Sequence, residues 1–197
     1  MAGKVVLVRH GQTEWSIAGR HTGRTDVPLT ELGRQQALAL KEMLSGYDFE
    51  SVFSSPLARA RDTADLAGYP SMVIDDDLKE WDYGIYEGRR TLDIREDVEG
   101  WSVWSHPVVG GESLAELGAR CDRVIAATDA IGGQVALFGH GHALRVLAAR
   151  WIGLPPSAGA NLALETASVS VLGRERENRA IVHWNDCCHV RGEELAY

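Results

Sequence analysis

Val5, Val6, Leu7 and Val8 run without a polar interruption straight into Arg9, His10 and Gly11. A strand with one face in water alternates apolar and polar residues. An unbroken aliphatic run marks a strand covered on both faces, as in a mostly parallel sheet with helices above and below it. The run therefore constrains the whole fold, and it places a cation and an imidazole at the mouth of a buried strand.

The same pattern recurs along the chain. "SVFSSP" reads as a second strand turning into a helix, with Ser55 as N-cap and Pro56 as the first helical residue of "LARARDTADLAG". "VALF" reads as another buried strand that breaks at "GHGH" into the helix "ALRVLAARWIG". Thr30 caps a helix through "ELGRQQALALKEML". Ser113 and Glu116 have capping-box spacing before "LAELGARCDRVIAATDAI", which Gly132 and Gly133 stop. "ASVSVLGRE" and "RAIVHW" close the chain as a pair of strands. Alternating strands and helices predict an α/β three-layer sandwich around a mostly parallel sheet. With no Pro- or Ser-rich linker, residues 1–197 read as a single domain.

"EWDYGIYEGRRT" has no clear period and reads as a functional loop. Its aromatics Trp81, Tyr83 and Tyr86 are open between closing over a ligand and anchoring the loop as a cluster. Asp75, Asp76 and Asp77 read as a solvated acidic turn rather than a cation site. His106 and His183 lie outside any motif and read as structural or surface residues.

A net charge of -8 argues against broad binding of nucleic acid or acidic membrane, so an anionic ligand must meet a local basic pocket. No stretch is long and apolar enough to span a bilayer, and Met1 to Lys4 lead into a strand without the apolar core of a secretory signal, so a cytoplasmic location is expected. Cys121, Cys187 and Cys188 are an odd set with one adjacent pair, which fits a reducing compartment better than a disulfide framework. Cys187 and Cys188 with His183 and His189 match no common zinc spacing, and neither a metal nor a cofactor is expected.

In open α/β sheets ligands bind beyond the carboxyl ends of the strands. Three strand ends here deliver Arg9 with His10, Arg59 in the first turn of a helix, and His140 with Gly141. Two helix N-termini add orphan amides and the positive ends of their dipoles. Two guanidiniums, two imidazoles and two helix ends suit a dianion such as phosphate.

"VRHGQTEW", "TGRTDVPLTELGRQQA", "SSPLARARDTA", "EWDYGIYEG", "GGES" and "FGHGHALR" follow one another across about residues 4–184. On these segments the chain resembles the histidine phosphatase superfamily, which includes cofactor-dependent phosphoglycerate mutases. The resemblance implies that His10 is the nucleophile, that Arg9, Arg59 and His140 hold the transferring phosphoryl group, and that Glu80 is the proton donor. It places Ser16, Thr22, Gly23, Tyr83, Gly141 and His142 on the substrate side. Ser16 stands where many members carry Asn, so a shorter hydroxyl would make that contact.

Ser16, "HTG", "WDYGIYEG" and "GHGHALR" look most like a branch containing sedoheptulose-bisphosphatase-like enzymes and actinobacterial acid phosphatases. The expected activity is metal-independent hydrolysis of a small phosphomonoester, a sugar phosphate or bisphosphate, through a phosphohistidine. A neutral imidazole is a competent nucleophile near neutral pH, and fixed cations stabilise the spread charge of phosphoryl transfer. Phosphoglycerate mutase is the nearest alternative, but only a short segment with Arg89, Arg90 and Arg95 separates "EG" from "GGES" where such mutases carry a long basic insertion. A catalytically silent phospholigand-binding protein is the alternative from another class, and His10, Arg59, Glu80 and His140 are all retained against it.

Overall fold

The structure, a computed structural model, describes residues 3–190. One sheet holds six strands: β1 (Val5–Arg9), β2 (Phe49–Ser54), β3 (Val73–Ile74), β4 (Gln134–Gly139), β5 (Val169–Glu175) and β6 (Asn178–Asp186). Their order across the sheet is β3-β2-β4-β1-β5-β6. The first four are mutually parallel, while β5 runs antiparallel to both β1 and β6. The helices are α1 (Glu14–Ile17), α2 (Glu31–Met43), α3 (Ala58–Leu66), α4 (Thr91–Asp97), α5 (Leu114–Ile131) and α6 (Gly141–Trp151).

The unbroken run in β1 works in both directions. Val5 and Leu7 join Val135 and Leu137 in a core shared with Leu117, Cys121 and Val124 of α5 and Leu144, Leu147 and Trp151 of α6. Val6 and Val8 join Ala136 and Phe138 in a second core against Leu40 of α2 and Ala64 of α3. Side chains alternate across a strand, so β1 and β4 each feed both cores, and helices flank the sheet on its two faces. Burying one such aliphatic or aromatic side chain contributes roughly 1.5–3 kcal/mol.

The caps expected from sequence form at three helix ends. Thr30 accepts from Gly33 N, Ser113 and Glu116 make the reciprocal capping box, and Gly132 ends α5 in the left-handed conformation at φ 75°. At α3 the expectation fails: the N-cap is Leu57, and helix begins at Ala58. The Ser55 hydroxyl lies 2.8 Å from His140 Nε2, and Asp26 reaches in from a distant loop to accept from Ala58 N at 2.8 Å, doing the capping instead.

Chain register brings the three motif-bearing strand ends side by side. Arg9 pairs with Gly139, and Ser54 pairs with Phe138. The ladder then continues one residue further, with His10 N donating to Gly139 O and Ser55 N to Phe138 O, both at 3.0 Å. Behind this edge two glycines allow α2 to press on the segment after β1: a Cβ on Gly33 would lie 2.1 Å from Gln12 O, and one on Gly11 would lie 2.3 Å from Gly33 O.

Candidate active site

His10 sits at the floor of a cavity of about 320 Å³ at these strand ends. Its Nδ1 lies 2.7 Å from Gly11 O. A carbonyl only accepts, so Nδ1 carries the proton, and Nε2 keeps its lone pair with no protein partner. Gly11 is itself held, because its N–H donates to Thr63 Oγ1 at 3.0 Å and that hydroxyl donates to Arg59 O at 2.7 Å. Burial, then Arg59, then Arg9, push the His10 pKa well below the usual imidazole value, so the ring is neutral.

Arg9 donates to Leu164 O, but its Nε is buried without a partner. A buried guanidinium N–H left unpaired is costly unless something else meets it, so this position is chemically suited to an anion. Gly141 borders both groups: a Cβ there would lie at ordinary contact distance, 3.5 Å from Arg9 Nε and 3.7 Å from Glu80 Oε2. Glu80 reaches α6 from the aromatic loop. Its Oε2 accepts from His142 N at 3.0 Å and its Oε1 from Ala143 N at 2.9 Å and Trp81 N at 2.8 Å, so it caps α6 from outside the helix. His140, the N-cap by position, makes no side-chain cap bond of its own.

Arg59 and His140 stand behind the cavity rather than in its wall. Both are 0% exposed. Arg59 donates from Nε to His140 Nδ1 at 3.2 Å, and from its terminal nitrogens to the carbonyls of Thr25, Thr22 and Gly23. His140 must therefore carry its proton on Nε2, which it directs at Ser55 Oγ. Its ring centroid is 5.2 Å from that of His10. Gly23 likewise lies off this cavity, lining a neighbouring cleft of about 610 Å³ that borders the other side of Glu80.

Ser16, Thr22, Tyr83 and His142 do line the His10 cavity. The Ser16 hydroxyl is already engaged: it donates to Thr13 O at 2.8 Å and accepts from Thr13 N at 2.9 Å, which caps α1 and leaves only a lone pair facing the cavity. Trp81, Tyr83 and Tyr86 are all core residues, and Tyr83 alone of the three also reaches the cavity wall. The acidic turn is held by cations, with Asp76 on Lys79 and Asp77 on Arg123. Among the described residues no three His, Cys, Asp or Glu side chains converge on a point where a metal ion could sit, the Cys187 and Cys188 segment included.

Sequence reasoning missed Arg145, His21, Arg20 and Trp104, all in the cavity wall. Arg145 was legible in principle, since it lies four residues after Gly141, one turn along the same face of α6. It donates to the carbonyls of Gly159 and Ala160, and its Cζ stacks 4.7 Å from the Trp104 ring. His21 and Trp104 sit on irregular segments whose paths carry no periodic signal. With Arg9, Arg20 and Arg145 against one carboxylate, the cavity inverts the sign of the chain as a whole.

The buried imidazoles tie stability to pH. His21 is 8% exposed, and burial lowers its pKa to about 4. His10, His140 and His142 are shifted in the same direction, burial again being the largest cause. Between the folded pKa and about 6.5, the unfolded state binds more protons than the folded one. Stability is whole above that upper value and falls as pH drops towards 4. His21 alone accounts for up to about 3 kcal/mol of this loss. Urea unfolding of the wild type and of His21→Gln at pH 7 and pH 4.5 checks it: the acid-induced drop should be smaller in the variant, and equal drops would remove His21 from the account.

The chain belongs to the histidine phosphatase superfamily, branch 1, whose family pattern matches residues 5–187. It is a phosphomonoesterase of that family, a class that acts on phosphorylated small molecules. Among its relatives is an acid phosphatase of Mycobacterium tuberculosis, 41% identical over 182 residues that make up 90% of each chain. A sedoheptulose 1,7-bisphosphatase of Saccharomyces cerevisiae is 38% identical over 184 residues, 77% of this chain and 68% of that one. The structure of an open reading frame product from Mycobacterium tuberculosis superposes with a TM-score of 0.89 at 39% identity, covering 93% of this chain and 97% of that one. A mycobacterial glucosyl-3-phosphoglycerate phosphatase solved with VO3 superposes at 0.82 and 30% identity, covering 93% and 99%. No helix among the described residues is long and apolar enough to cross a membrane.

Proposed function

We propose that the protein hydrolyses sugar phosphates, bisphosphates among them, without a metal and through a phosphohistidine on His10. The observation that carries this reading is a neutral His10 whose Nδ1–H is fixed on Gly11 O, which leaves the Nε2 lone pair without a protein partner in a cavity also lined by Arg9, whose Nε–H is unpaired. In the first step Nε2 attacks phosphorus, the P–O bond to the sugar breaks, and Glu80 gives its proton to the departing oxygen. In the second, water attacks phosphorus, the P–N bond breaks, Glu80 takes up the proton from the water, and His10 returns to its neutral form.

Arg9 and the Gly141 N–H, which Glu80 leaves free at the start of α6, meet the phosphoryl oxygens, where charge spreads in the transition state. Arg59 and His140 support the site from behind, since the Arg59 charge helps keep His10 unprotonated and its donors hold the backbone at Thr22, Gly23 and Thr25 in place. Ser16, Thr22, Tyr83 and His142 face the sugar. Support for a sugar phosphate comes from the similarity to the bisphosphatase and to the glucosyl-3-phosphoglycerate phosphatase.

The test is phosphate release over a panel of sugar phosphates and p-nitrophenyl phosphate in EDTA. A parallel assay supplies 3-phosphoglycerate with and without 2,3-bisphosphoglycerate. Formation of 2-phosphoglycerate faster than phosphate release would convert the reading to a mutase. Binding of sugar phosphates with no release from any substrate would make the protein a silent binder.

A bisphosphate also needs a second cationic contact, and Arg145 offers Nη1, which has no protein partner. Arg145→Gln should lower kcat/KM for a sugar bisphosphate on the order of tenfold more than for the matching monophosphate, the scale of one charge-assisted hydrogen bond. Equal losses would confine Arg145 to holding the turn at Gly159 and Ala160.

A further inference from the structure

His142 and Tyr83 make a contact that phosphoryl transfer itself does not use. The Tyr83 hydroxyl lies 2.5 Å from His142 Nδ1. Tyr83 is 1% exposed and its hydroxyl has this one partner, so the direction of the bond follows from accounting for hydrogens. Were Nδ1 to carry the proton and donate, the phenolic hydrogen would depend on an acceptor in the cavity that Tyr83 borders, and the bond would pair the weaker donor with the weaker acceptor, since a phenol O–H donates better than a neutral imidazole N–H and an imidazole nitrogen accepts better than a phenol oxygen. With the phenol donating, Nδ1 accepts and the phenolic hydrogen is paired. The proton of His142 then resides on Nε2.

That nitrogen makes no hydrogen bond to the protein, and His142 belongs to the cavity wall. The ring is fenced by Trp104 at 5.1 Å, His21 at 6.1 Å and Trp81 at 6.2 Å, which leave it little freedom to turn. Its own backbone N–H is tied to Glu80 Oε2, so ring and carboxylate keep a fixed relation. Burial, reinforced by Arg145, His21 and Arg9, disfavours a second proton on the imidazole.

We infer that Tyr83 locks His142 in the Nε2–H tautomer, making it a neutral hydrogen-bond donor that reads an acceptor oxygen on the leaving group, the hydroxyl carried by a polyol phosphate near its ester bond. Tyr83 is the positioning residue and His142 the specificity-determining one. The substrate half of this inference rests on the phosphomonoesterase reading of the site, whereas the tautomer half stands on geometry alone. A neutral donor suits the task, because it discriminates between a hydroxylated and a bare alkyl chain without adding charge beside Arg9 and Arg145.

The experiment has two arms. In the first, nitrogen-resolved NMR of the imidazoles in ¹⁵N-labelled protein, with His142→Gln to assign the signal, should show His142 as a single Nε2–H tautomer. In Tyr83→Phe, which keeps the ring and removes only the hydroxyl, the signal should shift towards a mixture. In the second arm, kcat/KM is compared for glycerol 1-phosphate and n-propyl phosphate, which differ only in hydroxyls. The wild-type preference for the glycerol ester should shrink about tenfold in both Tyr83→Phe and His142→Gln, whatever common loss both esters suffer. An Nδ1–H signal in the wild type, or an unchanged tautomer in Tyr83→Phe, would overturn the positioning role. A wild type with no preference between the two esters, or variants that keep it in full, would overturn the specificity role. If the wild type releases phosphate from neither ester nor from p-nitrophenyl phosphate, the phosphatase reading fails and the first arm still decides the tautomer.

Discussion

Replacing His10 with alanine should abolish turnover while phosphate binding survives. The variant removes the lone pair to which the proposed mechanism gives the attack on phosphorus, and it leaves the Arg9 guanidinium and the start of α6 in the sequence unchanged. Loss of a covalent nucleophile has cost on the order of a millionfold in kcat in another hydrolase whose remaining groups were left intact, and a fall of that order is expected here. Wild-type enzyme quenched in alkaline detergent after mixing with ³²P-labelled substrate should carry a phosphate that acid releases and alkali does not. His10→Ala should carry none, yet should still bind inorganic phosphate in a titration. Label retained on the variant would assign the nucleophile to another side chain, and the fixed Nδ1–H tautomer of His10 would lose its catalytic meaning.

The second large effect belongs to Glu80. The aromatic loop offers three carboxylates, but geometry separates them. Asp82 is bonded to Gly84 N and paired with Arg24, and Glu87 takes the backbone N–H groups of Gly23 and Thr25. Glu80 is the one of the three that lines the His10 cavity. A sugar alkoxide cannot leave without a proton, whereas p-nitrophenolate departs readily. Glu80→Gln should therefore slow sugar-phosphate turnover by roughly a hundredfold to ten-thousandfold while slowing p-nitrophenyl phosphate turnover far less. The glutamine amide would also face the His142 and Ala143 N–H groups less favourably, so some loss of stability is expected in the same variant, and thermal unfolding records it separately. A structural disturbance slows both substrates alike. An equal loss on both would remove the acid role from Glu80.

The fold was legible where one physical signal sufficed. The unbroken run in β1 implied cover on both faces, and Thr30, Ser113 with Glu116, and Gly132 marked helix ends through local chemistry alone. The start of α3 was misread because Asp26 supplies the cap from outside the local sequence. The site was legible in the same partial way. Strand ends predicted that His10, Arg59 and His140 would converge, and their rings and guanidinium do touch. Their facing was not predictable, because Arg59 spends its donors on main-chain carbonyls of a loop whose path depends on packing far from it. Ser16 shows the converse: its hydroxyl had a local use, the cap of α1, that competes with the ligand contact inferred from resemblance.

Strand β4 lies between β1 and β2, although it follows both in the chain by at least 80 residues. Strands β1 and β2 thus have no hydrogen bonds to each other, and the slot between them fills only when a much later segment arrives. Such long-range pairing is slow to form, since loop closure must come before the contacts that reward it. A chain emerging from the ribosome carries His10 and Arg59 well before it carries His140, Gly141 and the start of α6, so for most of its synthesis it has no place to hold a phosphate. Ligand then acts as a selector for completed molecules: it adds stability to chains whose sheet has closed and none to those still waiting for β4.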